Sequence, residues 1–262
     1  MRVSPFDLNR RFRLPCNIAV ALVLVLAGAA HAADTGTMDA AAAVVLKTNT
    51  DYKIGDRYDY RAMDGFSLVE EARYILRVTG LNESRVEFND GFYVSDRLGN
   101  DVAVGSYNRI SAQEVFVPEY AVGKKWTTLY HLSKAEGAEF DVTYHFEVVG
   151  REKITVPAGT FDAYRIEGGG YMHQLRGHRQ SACKEKNSIF TFWVAPADVR
   201  RFIAMNYIQR GAAIGCKYSV VARTELVYFQ QDGRSAGIES TGVENYIPGD
   251  ATVPEYSVFG PL

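Results

Sequence analysis

KITVPAGTFDAYRI, residues Lys153 to Ile166, sets a Pro-Ala-Gly centre between two runs rich in β-branched and aromatic residues. Proline fixes φ at the second position of a turn and glycine accepts a left-handed backbone after the corner. Val156-Pro157-Ala158-Gly159, followed by Thr160 and Phe161, therefore predicts a type I turn closing a hairpin with a glycine bulge. Upstream, Phe140, Val142, Tyr144, Phe146 and Val148 alternate with Asp141, Thr143, His145 and Glu147. Period two with these residue types is the pattern of a strand with one buried and one wet face. The same alternation sets Ala72, Tyr74, Leu76 and Val78 against Arg73 and Arg77. It recurs with Tyr218, Val220, Ala222, Leu226 and Tyr228 against Lys217, Arg223 and Glu225.

One apolar and one polar face per strand implies antiparallel pairing. Residues 188–195 and 201–209 carry apolar side chains at both parities and predict strands covered on both faces. Asn89-Asp90-Gly91 and Leu98-Gly99-Asn100 read as turns. Calcium binding by Asp90, Asp96, Asn100 and Asp101 is disfavoured, because their spacing lacks a regular acidic loop with a closing Glu. The expected fold is all-β: an antiparallel sheet curved into a half-barrel or open barrel of meander hairpins, with little helix. Met38 to Lys47 is Ala-rich, which suits a short helix or an unstructured leader.

The N-terminus sets Arg2, Arg10, Arg11 and Arg13 before an apolar run from Ile18 to Ala30 and the small-residue site Ala30-His31-Ala32. These are the three zones of a secretory signal peptide, and the run falls short of the roughly 20 residues that span a bilayer. Cleavage is expected after Ala32, with no transmembrane segment remaining and a periplasmic location. Removing residues 1–32 takes away four Arg and one Asp and leaves 25 basic against 30 acidic residues, a net charge of −5. Nucleic-acid binding is disfavoured by that balance. The remainder divides into an Ala-rich leader, 33–49, one β domain, 50–231, and a Gly- and Ser-rich irregular tail, 232–262.

Inside the β domain Asp51-Tyr-Lys-Ile-Gly55-Asp-Arg-Tyr58 matches Glu119-Tyr-Ala-Val-Gly123-Lys-Lys-Trp126, 68 residues later. Tyr74-Ile-Leu-Arg-Val78-Thr-Gly80 matches Tyr144-His-Phe-Glu-Val148-Val-Gly150 at an offset of 70. Two motifs in the same order at nearly one offset predict a duplicated meander. Val117-Pro-Glu-Tyr120 recurs as Val253-Pro-Glu-Tyr256.

Val156-Pro-Ala-Gly-Thr-Phe161, the preceding Val148-Val-Gly150-Arg-Glu152 and the upstream Gly123 to Trp126 resemble a family of exported bacterial domains of unknown function. The likeness continues into Phe192-Trp193-Val194-Ala195-Pro196, where Val194 stands in place of that family's aromatic residue. The resemblance covers roughly residues 50 to 230. It implies an antiparallel periplasmic domain related to the half-barrels of lipoprotein carriers, and it transfers no catalytic residue.

Cys183 and Cys216 remain after cleavage, and on compartment grounds they are expected to form a disulfide. Closing a loop of 33 residues, it would contribute about 3–4 kcal/mol in the chain-entropy description. A zinc shell from these cysteines with His173 and His178 is the alternative, disfavoured because only the two histidines have ligand spacing. No G-x-S-x-G or H-E-x-x-H occurs, and the Gly168-Gly169-Gly170 run lacks the context of a dinucleotide fingerprint. No catalytic residue, metal or cofactor is expected. The chain holds 16 Tyr and 14 Phe. A concave face lined by Phe140, Tyr144, Phe146, Phe192, Trp193, Phe202 and Tyr207 would accept an apolar small molecule or an apolar segment of an envelope protein. The competing reading places the same rings in a filled core. A metal-dependent hydrolase and a structural assembly factor are the other functional readings.

Overall fold

Alternating residues do form strands, and they do so along nearly the whole described chain. The computed structural model describes residues 45–105, 107–109, 113–134, 137–177, 184–212, 216 and 219–240, all within the compact unit 41–262. The expected signal peptide and cleavage site, residues 33–44 of the expected leader, His178, Cys183 and residues 241–262 lie outside the described residues.

Strands β1 to β8 are Leu46–Lys47, Arg57–Asp64, Glu70–Leu81, Arg85–Phe88, Tyr93–Asp96, Asp101–Val104, Tyr107–Arg109 and Glu119–Tyr120. Strands β9 to β15 are Lys125–Lys134, Glu139–Val156, Gly159–Arg176, Glu185–Val194, Phe202–Gly211, Ser219–Gln231 and Arg234–Gly237. All pairings are antiparallel: β1 pairs with β8, and the rest form one sheet in the order β13-β12-β11-β10-β9-β7-β6-β5-β4-β3-β2-β14-β15. Strand β14 also pairs with β13, from Ala204↔Glu225 to Arg210↔Ser219, while its other edge pairs with β2 from Ala222↔Asp64 to Gln230↔Arg57. The curved antiparallel sheet of hairpins is thus the fold expected from the alternation.

Phe140, Val142, Tyr144, Phe146 and Val148 are all buried, and Asp141 and His145 between them are exposed. Tyr74, Leu76 and Val78 of β3 join the same core. A segment outside the sheet, Val115-Phe116-Val117, is laid on the core face. The Asn100 side chain holds it, its Oδ1 accepting the N–H of Val115 at 2.8 Å and of Phe116 at 2.6 Å.

The opening hairpin joins β10 to β11. Val156 pairs directly with Gly159 and the register runs on through Thr155↔Thr160, so the glycine bulge expected at the turn is absent; the register shifts of this strand pair lie between Glu139 and Phe140 and between Val148 and Gly150. Its corner crosses to the far side of the fold. Ala158 N–H donates to Leu226 O at 3.2 Å and the Phe161 ring lies 6.2 Å from that of Phe229.

The two repeat copies make the same contacts. Gly55 and Gly123 have φ of 91° and 86°. Gly55 N–H donates to Val78 O at 2.9 Å, and Gly123 N–H to Val148 O at 2.8 Å. Val78 N–H returns to Asp56 O and Val148 N–H to Lys124 O, and register shifts follow at Val78/Gly80 and Val148/Gly150.

Three further expectations need correction. Leu46–Lys47 is a strand, because its backbone groups are taken by Glu119 and Tyr120, so the fold starts inside the proposed leader. Arg234–Gly237 at the start of the irregular tail is also a strand, taken up by the free end of β14. Residues 188–195 are not covered throughout: Ile189 is 57% exposed, and double coverage begins at Phe192 and Trp193.

Candidate functional site

The seven aromatic residues expected to line a groove are all buried. Six of them pack against other core rings or polar groups. Phe190 lies 4.9 Å from Tyr144, 5.9 Å from Phe146 and 5.0 Å from Tyr207 between ring centres. Phe192 meets Phe146 and Phe116 edge-on, each at 5.7 Å, and Phe202 stacks on Tyr60 at 4.6 Å. Phe140 sits under the Lys134 ammonium, 6.0 Å from its ring centre. At one end the core is polar: Ser188 Oγ lies 3.3 Å from Tyr144 Oη and 3.5 Å from Tyr207 Oη, and accepts from Gln209 Nε2 at 3.1 Å. Trp193 takes the opposite face from Phe192, since neighbouring strand residues point to opposite sides. Its Nε1–H donates to Glu152 Oε1 at 2.7 Å and Arg223 lies over its ring.

An open concavity lies on the outward face of β9 to β12. Its volume is about 650 Å³, and Lys125, Thr127, His145, Glu167, Gly168 and Ile189 line it, with Phe146 and Phe190 at its floor. Register explains its position. Thr127, His145, Gly169 and Ile189 are successive partners across the four strands, so a missing side chain at Gly169 leaves a dent between two that are present. Gly168 is required by the core face: a Cβ there would meet Phe146 Cδ1 at 2.1 Å. Around the dent stand three exposed apolar residues, Leu129 at 67%, Tyr171 at 63% and Ile189 at 57%. The polar rim is already paired. Lys125 Nζ lies 3.1 Å from Glu147 Oε2, Arg165 Nη2 lies 3.3 Å from Glu167 Oε1, and Thr127 Oγ1 lies 2.7 Å from His145 Nδ1.

Buried charge is concentrated elsewhere, at the Arg200-Arg201 pair. Arg200 donates to Asp56 Oδ2 at 2.9 Å and Asp232 Oδ2 at 2.5 Å, and Lys53 Nζ also reaches Asp232 at 3.0 Å. Burial pushes the Asp56 carboxyl up, whereas hydrogen bonds from Arg200 and Lys53 hold that of Asp232 below its ordinary value. Arg201 lies over Phe88 at 5.4 Å and Tyr93 at 5.2 Å, and donates to Tyr93 Oη at 3.0 Å and Gly99 O at 3.2 Å. Tyr93 in turn donates to Asp101. These contacts tie the loop before β2, the β5–β6 turn and the start of β13 into one structural cluster.

His173 of the zinc alternative is exposed, with Nδ1 3.4 Å from Glu185 Oε1. His178 and Cys183 lie outside the described residues. Among the described residues no three His, Cys, Asp or Glu side chains form a group able to hold a metal ion, and no helix is long and apolar enough to cross a membrane. Asp96 and Asn100 of the calcium alternative bond to each other, Nδ2 to Oδ2 at 3.0 Å.

Sequence reasoning noticed Gly168 to Gly170 without seeing the dent. The available signal was Leu129, Tyr171 and Ile189, which are apolar residues at wet-face positions.

No family model matches the chain, and no curated protein matches it in sequence. Solved structures similar to it include an exported protein of YmcC-like fold from Bacteroides fragilis NCTC 9343. It is 12% identical, with a TM-score of 0.45, over 71% of this chain and 100% of that one. A lipoprotein from Parabacteroides distasonis ATCC 8503 is 11% identical, with a TM-score of 0.42, over 68% of this chain and 96% of that one. The hypothetical lipoprotein YmcC from Escherichia coli K12 is 12% identical, with a TM-score of 0.36, over 65% and 82%.

Proposed function

We propose that this chain is an exported, non-enzymatic protein of the periplasm. In this reading it is cleaved after Ala32, stapled by Cys183 and Cys216, and takes an apolar segment of an envelope protein in the outward concavity of β9 to β12. The observation that carries this reading is the placement of Leu129, Tyr171 and Ile189, exposed around a dent whose charged rim is already neutralised. An apolar patch on a wet face is the usual mark of an interaction surface. The openness of the concavity favours a partner segment over a small molecule, since small-molecule sites bury most of their ligand. A lipid-like ligand is the second reading, supported by Phe146 and Phe190 at the floor.

The experiment is site-specific photocrosslinking in the periplasm of the source bacterium, with the photoreactive residue at Ile189 or Tyr171 and, as a control, at exposed Thr160 on the hairpin. A protein adduct at the first two positions, absent at the control and lost on Thr127→Trp, which fills the concavity from its exposed wall, is expected. Adducts at all three positions, or at none, would overturn the reading. Native mass spectrometry of the same material separates the second reading: a removable apolar adduct of small mass points to the lipid-like ligand. The denatured mass, two hydrogens below that of the reduced chain from Ala33, checks both cleavage and disulfide.

A further inference from the structure

The turn between β2 and β3 carries three exposed apolar side chains in four residues: Phe66 is 77%, Leu68 58% and Val69 62% exposed. Polar residues would sit in such a turn without loss, whereas these keep apolar surface in water at an energetic cost. Leu68 adds a second cost. Its φ of 57° is a left-handed backbone that a bulky side chain resists. Residues held in such conformations persist where the surrounding structure over-determines them, and they gather at sites that grip something.

Here the bracing is complete, because every N–H from Gly65 to Val69 is donated inside the protein. Gly65 N–H goes to Val221 O and Leu68 N–H to Asp64 O, both at 2.9 Å. Asp64 Oδ1 accepts from Phe66 N–H at 3.1 Å, Ser67 N–H at 2.7 Å and the Ser67 hydroxyl at 2.8 Å. Val69 N–H reaches Ser67 Oγ at 3.4 Å. An exposed turn in water has no need of this, since solvent satisfies such donors. In hydrocarbon an unbonded N–H is heavily penalised, and only backbone that satisfies itself can enter. The turn meets that demand with its own groups and holds Phe66, Leu68 and Val69 out in an order already fixed.

Charge and size narrow the choice of medium. Arg73 Nε donates to Glu70 Oε1 at 2.5 Å, and Arg61 Nη2 and Arg223 Nε each donate at 2.7 Å to the Glu225 carboxylate. Counting exposed Arg210 against Asp64 and exposed Glu71, the described surroundings of the tip carry no net positive charge. Attraction to anionic headgroups is therefore missing, and apolar insertion is left as the driving force. Three side chains offer roughly 400 Å² of apolar surface at most, about half of the roughly 800 Å² that each partner buries in a standard protein complex. A bilayer interface needs no complementary pocket, and apolar side chains enter it just below the headgroups. We propose that the β2–β3 turn is an insertion loop that docks the protein on a zwitterionic phospholipid surface, with Phe66, Leu68 and Val69 in the apolar layer and the Arg73–Glu70 pair among the headgroups. The turn shares no residue with the concavity of β9 to β12, so partner binding there and membrane docking here stand or fall separately.

The test is flotation of the full exported chain with extruded phosphatidylcholine vesicles, alone and mixed with phosphatidylglycerol. The parent is compared with Phe66→Ser, with Leu68→Asn, whose side chain tolerates a left-handed backbone, and with the two combined. The parent should bind both kinds of vesicle, insensitive to salt. The double variant should partition at least about tenfold more weakly, while Leu68→Asn melts no lower than the parent. A parent chain that stays unbound would leave the tip to a protein pocket, and binding to the anionic vesicles alone, lost in salt, would assign docking to charge elsewhere. Unchanged binding of the double variant would move docking to another part of the chain. A fall in melting temperature at Leu68→Asn in step with lost binding would make the leucine a structural residue. Each of these four results overturns the proposal.

Discussion

Phe192→Ala separates a filled core from a ligand-lined groove. Phe192 is 1% exposed and meets Phe116 and Phe146 edge-on at 5.7 Å. Replacing a buried Phe by Ala removes its transfer free energy and leaves a cavity, for a cost of about 3–5 kcal/mol. Each lost edge-to-face pair contributes about 0.5–1.5 kcal/mol beyond area. With two such pairs broken, the upper half of the range applies, about 4–5 kcal/mol. In a domain of this size about 4 kcal/mol lowers Tm by roughly 8–16 °C. The assay is urea unfolding followed by tyrosine and tryptophan fluorescence, with Leu129→Ala, 67% exposed on the outward face, as the partner measurement. The midpoint should fall sharply for Phe192→Ala with the slope m unchanged, and hardly move for Leu129→Ala. A loss under about 1 kcal/mol at Phe192, well below the large-to-small range, would refute the packed-core reasoning and restore a groove on that face.

Two further outcomes follow from particular contacts. Gly55→Ala and Gly123→Ala should each cost about 1–2 kcal/mol, the penalty for a left-handed backbone. Neither added Cβ meets any atom within 4 Å, so the cost is conformational and should be nearly equal at the two sites by denaturant unfolding; a large inequality would break the equivalence of the repeats. For Asp232 the folded-state carboxyl titrates below the ordinary value of 3.8, so its stabilisation is full above that pH and is lost as pH falls through the lower folded value. Asp232→Asn should therefore lower Tm at neutral pH and flatten the acid limb below about pH 4, whereas an acid limb parallel to the parent's would sink that assignment. Asp56, with a raised value, works in the opposite sense and limits the size of the effect.

The alternation of Phe140 to Val148 against Asp141 to Glu147 determined strand, face and antiparallel class, because side-chain direction in a strand depends only on local geometry with period two. The paired motifs Asp51 to Tyr58 and Glu119 to Trp126 marked two equivalent segments for the same reason: the φ near 90° at Gly55 and Gly123 is a local demand that glycine meets. The tertiary structure decided which face of the sheet is filled and which is free. Phe116 and Phe192 are 76 residues apart in sequence, and their contact depends on Asn100 holding an intervening segment, which no local pattern encodes. The same holds for the outward site. Gly169 becomes a dent only because register sets His145 on one side and Ile189 on the other, and Leu46–Lys47 becomes a strand only because Glu119 and Tyr120 take its backbone. Periodicity is a property of one strand, whereas a groove or a plugged core belongs to several strands at once. Their mutual register is set by hydrogen bonds and packing between residues distant in the chain.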